Sequence, residues 1–228
     1  MIEFKKKTIL FITNYKLKEI KQLLPKNKKF ILKYFNCNNK KHIKKLEKYL
    51  KKNISENNIL LSFSNSYIFK KKQLVHFRDN HRVNFHPGPP NYPGRDVSHF
   101  ACYHCEKKFG GTLHSISQKI DNGKIIKVKK FKIEKKKPDH NYFSYIGHKS
   151  ICILLKENFE KILNSKILFT REKWSKRIYT RKKFLKMLCV KKNITSKKLE
   201  HLKRSFYTIN YKSLYQISNN KKKFIKFN

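Results

Sequence analysis

The sequence predicts an α/β fold in which a mostly parallel sheet carries helices on both faces. Short apolar runs at 8–13, 30–35 and 58–63 have the length and composition of buried strands. Helix-like stretches at 15–24 and 40–52 separate these runs. The resulting order, β-α-β-α-β, is typical of parallel strands that are joined by crossover helices.

Five further segments complete the predicted domain. "HRVNF" at 81–85 has the pattern of a strand, and "DVSHFACYHCEK" at 96–107 has that of a helix. "GGTLHSIS" at 110–117 and "GKIIKVKKFKI" at 123–133 alternate in the manner of strands. A long amphipathic helix is expected within 141–164.

The character of the chain changes near residue 165. Short basic segments of helical pattern follow, at 180–188 and 195–206. They are too few to enclose a second full core. We therefore predict one domain at 1–165 and a small basic C-terminal extension at 166–228.

The charge of the chain has two explanations. The 228 residues include 57 Lys and Arg against 14 Asp and Glu, a formal net charge of +43. Lys, Asn, Ile, Phe and Tyr have AT-rich codons, so genomic bias could produce a solvated lysine coat. Glutamate codons are AT-rich too, yet acidic residues are scarce, so a basic surface for RNA or another polyanion stays open.

The sequence favours a cytoplasmic protein that does not enter a membrane. The apolar run in "KKKTILFITN" is too short for a signal peptide or a membrane helix. Five cysteines without paired spacing are typical of a reducing compartment. The Cys-x-x-Cys at 102–105 has no matching second pair, so we predict no metal site.

Glycine and proline are rare in this chain and concentrated in one window. Five of the six glycines and four of the six prolines lie between 87 and 123. Such clustering indicates backbone conformations that other residues cannot adopt. The segment 86–95 also follows the predicted strand 81–85, and open α/β sheets bind ligands beyond the carboxyl ends of their strands. The window is therefore the predicted site.

Three polar residues are the candidates for chemistry there. Asn84 and His86 lie at i and i+2, so a strand would project both from one face. They could equally satisfy local backbone groups. Asp121, in "KIDNGKII", fits a plain turn or a carboxylate that orients the His86 imidazole. His114, inside "TLHSI", is predicted to be a packed strand histidine.

Four segments together resemble the signature of a known enzyme family. They are similar to the formyltransferases that use N10-formyltetrahydrofolate, a family that includes methionyl-tRNA, phosphoribosylglycinamide and sugar N-formyltransferases. The resemblance covers about 8–165 and implies a Rossmann-like formyltransferase fold. In chain order the segments are Asn84-Phe85-His86-Pro87, Pro90-Asn91-Tyr92-Pro93-Gly94, Gly110-Gly111-Thr112-Leu113-His114 and Ile120-Asp121-Asn122-Gly123.

The resemblance also implies roles for individual residues. An acceptor amine would attack the formyl carbon of the folate, with Asn84 donating to the oxyanion. His86 would assist proton movement, and Asp121 would hold and support its imidazole. No metal is required. The implied contacts with N10-formyltetrahydrofolate are Phe63, Tyr67, Ile68 and Ile120, and those with the acceptor are Gly88, Pro89, Pro90 and Tyr92.

The acceptor is predicted from the C-terminal extension. Segments 172–188 and 199–211 are similar to the tails of sugar N-formyltransferases, which favours an amino-sugar nucleotide. A methionyl-tRNA formyltransferase-like enzyme is the alternative, since the charge would suit tRNA. A non-catalytic, basic RNA-binding relative is a second alternative. Whether the chain forms a homodimer is left open.

Overall fold

The computed structural model describes residues 6–26, 30–52, 54–55, 57–208, 214–218 and 221–225. A short 3-10 helix, Asp79–His81, precedes the fourth strand. The strands and α-helices, in chain order, are β1 (Lys7–Thr13), α1 (Leu17–Lys21), β2 (Phe30–Asn36), α2 (Lys40–Lys52), β3 (Asn58–Phe63), α3 (Lys71–Leu74), β4 (Arg82–His86), α4 (Val97–Tyr103), β5 (Lys108–Ser115), β6 (Ile125–Lys132), α5 (His140–Leu163), α6 (Arg181–Met187), α7 (Ser196–Phe206), β7 (Tyr215–Ser218) and β8 (Lys221–Phe224).

The central sheet has the order β2-β1-β3-β4-β5-β6. The first four strands are parallel, whereas β5 runs antiparallel to β4 and β6 antiparallel to β5. The predicted mostly parallel sheet is therefore confirmed. The chain leaves β1 on one side for β2 and then crosses to the other side for β3. This reversal opens a crevice at the carboxyl ends of β1 and β3, where α/β proteins bind ligands.

Helices cover both faces of this sheet, as predicted. Alternate residues of β1 enter different apolar clusters, because successive side chains of a strand point to opposite faces. Ile9 and Phe11 pack in the cluster that contains Leu154 of α5. Leu10 packs in the cluster that contains Leu46 of α2.

Two predicted helices are shorter in the structure than in the sequence analysis. The helix expected at 15–24 is α1, which ends before Pro25. The helix expected at 96–107 is α4, which ends at Tyr103 because the chain turns through a left-handed conformation at Cys105 (φ 53°). That turn leaves Cys102 buried and Cys105 exposed. The described residues contain no cluster of three potential metal ligands.

The C-terminal extension packs into the body of the domain. Phe184 of α6 and Phe206 of α7 share an apolar cluster with Phe100 of α4 and Phe143 of α5. The predicted boundary at 165 thus falls just after α5, while the residues beyond it contribute to a common core. In the part of the chain that the structure describes, no helix has the length and apolar composition needed to span a bilayer.

Two histidines attach the end of α7 to the domain. His99 Nδ1 donates to the Ser205 carbonyl oxygen at 2.7 Å, and His140 Nε2 donates to the Tyr207 carbonyl oxygen at 2.8 Å. Their rings stack with centroids 4.2 Å apart. Burial, the neighbouring His140 and the charge of Arg181 lower the pKa of His99 to about 4, although its bond to Ser205 opposes this.

We expect acid to destabilise this attachment. The unfolded chain binds a proton near the ordinary histidine pKa of 6.5, before folded His99 does, so folding stability is lost as the pH falls from 6.5 toward 4. The loss attributable to His99 reaches roughly 3 kcal/mol. Urea unfolding at several pH values measures this loss of folding stability. His99→Gln should flatten the dependence of the unfolding free energy on pH, and the exposed control His76→Gln should not. The same pH dependence in the parent and both variants would show that His99 is not the group responsible.

Candidate active site

A cavity of about 450 Å³ opens at the carboxyl ends of β3 and β4. We call it the main cavity. Its walls come from the loop 64–69, the segment 94–98 and the turn 116–121 of the domain. The segment 178–181 of the extension supplies a further wall. Asn14, which follows β1, also lines it, so the cavity extends to the crevice that the strand order predicts between β1 and β3.

Strand pairing gathers the polar residues of the cavity. Asn84 and His86 both line it from β4, on the same face, as their spacing predicts. β5 runs antiparallel to β4 with His114 opposite Asn84 and Thr112 opposite His86. A directly opposite pair shares one face of the sheet, so His114 joins the two predicted residues.

A chain of hydrogen bonds fixes the Asn84 amide. The Ser62 hydroxyl donates to Asn84 Oδ1 at 2.5 Å, while Asn65 Nδ2 donates to the same hydroxyl. Asn84 Nδ2 then donates to His114 Nε2 at 2.9 Å. His114 Nδ1 faces the Ser115 carbonyl oxygen at 2.8 Å, an acceptor, so neutral His114 carries its proton there and accepts at Nε2. The second amide hydrogen of Asn84 is left for a ligand.

His86 is buried between two acceptors. Its Nε2 lies 2.8 Å from the Tyr92 carbonyl oxygen and its Nδ1 lies 3.3 Å from Asp121 Oδ2. Burial lowers the pKa of His86 below the ordinary value, while Asp121 and the Tyr92 carbonyl act in the opposite direction. A proton on His86 is therefore costly when Asp121 is absent and partly compensated when it is present.

The Asp121 carboxylate lies within 3.4 Å of both imidazoles. Its Oδ2 also accepts the Gly94 amide at 2.7 Å, and its Oδ1 lies 3.4 Å from His114 Nε2. Burial acts to raise the pKa of Asp121, but positive charge on His86, the contact with His114 and the hydrogen bond from the Gly94 amide lower it to about 2. Asp121 has a left-handed backbone (φ 41°), so it lies in a turn and also aims its carboxylate at the imidazoles.

His114 is a residue whose place in the site the sequence analysis missed. It is packed and hydrogen-bonded within its strand, as predicted. It also contacts both Asn84 and Asp121. Its position in a predicted strand was the only sequence feature that pointed to the site. The register in which that strand pairs with β4 is not visible in the sequence.

Two glycines of the loop lie where a side chain would clash with neighbouring atoms. A Cβ on Gly88 would lie 2.6 Å from His86 Nε2, so this glycine makes room for the His86 imidazole. Gly94 has φ 108°, and a Cβ there would lie 2.0 Å from the Tyr179 carbonyl oxygen. The backbones of the loop and the extension are paired at that point: Arg95 N donates to Tyr179 O at 2.9 Å.

The four residues predicted to bind the acceptor do not line the main cavity. Gly88, Pro89, Pro90 and Tyr92 are all buried. Tyr92 stacks on Tyr179 of the extension with centroids 5.0 Å apart, and Pro90 accepts a hydrogen bond from Ser175 N at 2.9 Å. The extension covers this side of the loop, so these residues support the site from behind.

The predicted folate contacts divide into two groups. Tyr67, Ile68 and Ile120 line the main cavity, and Ile68 and Ile120 are exposed at 61% and 48%. Phe63 does not line it. Its ring is fully buried and packs on Phe85 with centroids 5.7 Å apart, because it lies on the face of β3 that α5 covers.

Further residues of the cavity wall were not predicted. Arg181 of the extension forms an ion pair with Asp96, with Nη2 and Oδ1 3.1 Å apart. Asp96 begins α4 with a left-handed backbone (φ 60°) and does not cap the helix with its side chain. Exposed Arg95 lies beside it. Behind the histidines, Trp174 packs against both imidazole rings. The sequence feature that could have pointed to this residue is that it is the one tryptophan of the chain.

Several solved structures have the same overall fold. A 4-N formyltransferase from Francisella tularensis superposes with a TM-score of 0.79 at 19% identity, covering 97% of each chain. A sugar N-formyltransferase from a Shewanella species gives 0.77 at 16% identity, covering 98% of each chain. An N-formyltransferase from Helicobacter canadensis, solved with folinic acid and dTDP-3-aminofucose, gives 0.68 at 19% identity, covering 94% of this chain and 85% of that one. At such identities the likeness shows the fold.

The family is shown by the sequence match. No curated protein matches the chain. A family model described as formyl transferase matches residues 6–149, which is more than half of the 228 residues and includes Asn84, His86 and Asp121. The chain therefore belongs to the formyl transferase family.

Proposed function

We propose that this protein transfers the formyl group of N10-formyltetrahydrofolate to a primary amine on an amino-sugar nucleotide. The observation that carries the proposal is the convergence of Asn84, His86 and Asp121 in one cavity. Tyr67, Ile68 and Ile120 contribute apolar and aromatic side chains to its wall, which suits a flat apolar ring system. The segments 94–98 and 178–181 contribute polar and cationic groups to the same cavity.

Asn84 is placed to stabilise the charge that the reaction creates. The acceptor nitrogen attacks the formyl carbon, a C–N bond forms, and negative charge develops on the formyl oxygen. The free amide hydrogen of Asn84 donates to that oxygen, in an orientation already set by Ser62 and His114. The bond from the formyl carbon to N10 then breaks, which releases tetrahydrofolate.

The His86–Asp121 pair handles the proton. Asp121 stays ionised at neutral pH because its pKa is about 2. His86 is neutral there because burial lowers its pKa. The pair can thus take up the proton that the attacking amine releases and return one to N10 as that bond breaks, so that protons balance over the cycle.

Two cationic side chains support a nucleotide acceptor. Arg95 and Arg181 line the main cavity, and guanidinium groups bind phosphate oxygens in bidentate geometry. The Helicobacter canadensis structure with a dTDP-sugar supports the same substrate class by its similar fold. All five cysteines are free thiols, in keeping with a cytoplasmic reaction.

The deciding assay measures tetrahydrofolate release from N10-formyltetrahydrofolate. Amino-sugar nucleotides and charged initiator tRNA are supplied in parallel. We expect turnover with a sugar nucleotide and none with tRNA. Turnover with tRNA alone would overturn the sugar assignment and give the +43 charge a binding role. Tight tRNA binding without any turnover would favour the non-catalytic alternative.

Arg95→Gln should separate acceptor binding from folate binding. A charge-assisted hydrogen bond to a diphosphate is worth about 1.5–3 kcal/mol, so KM for the acceptor should rise about tenfold or more. KM for the folate should not change. Steady-state kinetics with each substrate varied in turn is the measurement. Arg171→Gln is the matched control, since Arg171 is an exposed arginine of the extension outside the cavity wall; equal effects of the two changes would remove Arg95 from the acceptor site.

A further inference from the structure

We propose that Trp174, which the C-terminal extension supplies, is a positioning residue for the reaction. Its indole holds the His86 and His114 imidazoles and the turn that carries Asp121 in one water-poor arrangement. The inference rests on the proposed function for its kinetic test, and a second readout is independent of turnover.

The indole ring contacts both histidines of the site. Its centroid lies 4.9 Å from that of His114, with the ring planes at 82°, and 5.7 Å from that of His86, at 73°. Aromatic rings prefer such edge-to-face contacts at these separations. One side chain therefore restricts two imidazoles that approach Asp121 from two different strands.

The indole N–H fixes the position of the turn. Trp174 Nε1 donates to the Gly123 carbonyl oxygen at 2.8 Å, two residues beyond Asp121. The turn is also in close contact with β5, since a Cβ on Gly123 would lie 1.6 Å from the Ser115 carbonyl oxygen. Thr170 N extends the attachment by donating to Ile125 O at 2.7 Å. The extension thus holds the turn against β5.

General core packing does not explain these contacts. Trp174 is half-buried, and the three apolar clusters formed by the described residues do not include it. It contacts the two imidazoles and a backbone carbonyl of the turn that carries Asp121. The indole does not line the main cavity, so it acts through the histidines.

The contact also keeps water from His86. The titratable groups that face His86 are Asp121 from the turn and His114 from β5, with the Tyr92 carbonyl as a further acceptor. Burial is the largest influence on this imidazole and lowers its pKa. If water replaces the indole, that influence weakens and the pKa of His86 rises.

The test compares three variants. Trp174→Leu removes the aromatic contacts and the N–H, Trp174→Phe keeps a ring without the N–H, and Leu168→Ala is a control at an exposed position of the same segment. We expect kcat to fall about 10²-fold in Trp174→Leu and less in Trp174→Phe, with both KM values within about twofold of the parent. The acid limb of the kcat profile should move to higher pH in Trp174→Leu. The control should match the parent.

An NMR titration of His86, assigned with His86→Gln, supplies the readout that needs no substrate. A higher pKa of His86 in folded Trp174→Leu supports the inference, even if no acceptor turns over and the proposed function fails. Thermal unfolding confirms that each variant is folded. If Trp174→Leu does not fold, the titration is made on Trp174→Phe instead. A lower melting temperature with unchanged kcat, acid limb and His86 titration would overturn the inference and leave Trp174 with a purely structural role.

Discussion

Asp121→Asn is expected to lower kcat about 10²–10⁴-fold while the protein stays folded. The change removes the negative charge that compensates a proton on His86, at the 3.3 Å contact between Nδ1 and Oδ2. His86 then meets the full cost of burial whenever it takes up the proton from the attacking amine. Both KM values should change little, because the lost interaction is strongest in the transition state.

The pH dependence of kcat in Asp121→Asn should shift in a defined direction. Asp121 raises the pKa of His86 against the effect of burial. Its removal should therefore lower that pKa further and move the acid limb of the residual activity to lower pH. Kinetics of tetrahydrofolate release between pH 4 and pH 8 are the measurement.

Asp79→Asn is the matched control for Asp121→Asn. Asp79 pairs with Arg82 and Lys124, its side chain is 43% exposed, and it does not line the main cavity. Its loss should cost at most about 1 kcal/mol of stability and leave kcat unchanged. Full activity in Asp121→Asn, with the fold intact, would exclude the proton role of the pair.

Asn84→Ala is expected to lower kcat about 10²–10³-fold, because it removes the amide hydrogen proposed to stabilise the oxyanion. Asn84→Asp should be at least as damaging, since a carboxylate would meet the developing negative charge. Ser62→Ala should cost about tenfold, because the amide stays but loses the hydroxyl that sets its orientation. The measurement is kcat at saturating concentrations of both substrates.

The control for Asn84 is Asn91→Ala, an exposed asparagine of the proline-rich loop outside the cavity wall. It should leave kcat unchanged. If Asn84→Ala retained the parental kcat, the oxyanion would have to be stabilised by another group. An effect of Ser62→Ala larger than that of Asn84→Ala would contradict the proposal that Ser62 acts by orienting the Asn84 amide.

Much of the fold could be predicted because it depends on local patterns. Apolar runs at 8–13 and 58–63 mark β1 and β3 to within one residue, and their alternation with helical stretches indicates a parallel sheet. The shared face of Asn84 and His86 follows from the two-residue period of a strand. The rarity of glycine and proline elsewhere in the chain pointed to the window around them.

Other features depend on contacts between distant segments, which no local pattern encodes. The antiparallel register that places His114 opposite Asn84 is one. The orientation of the loop is another: proline and glycine indicate its rigidity, but not that Tyr92 turns inward to stack on Tyr179. The strand period did not reveal that Phe63 faces α5.

The sequence by itself determined the α/β class, the strand that bears the site and the three residues proposed for the chemistry. Only the tertiary structure decided how the extension takes part. Trp174 and Arg181 lie more than fifty positions beyond Asp121 along the chain, yet Trp174 packs against His86 and Arg181 lines the main cavity. Short-range periodicity reports which face of an element is buried, whereas these contacts arise from the docking of one segment on another, which depends on the whole packed domain.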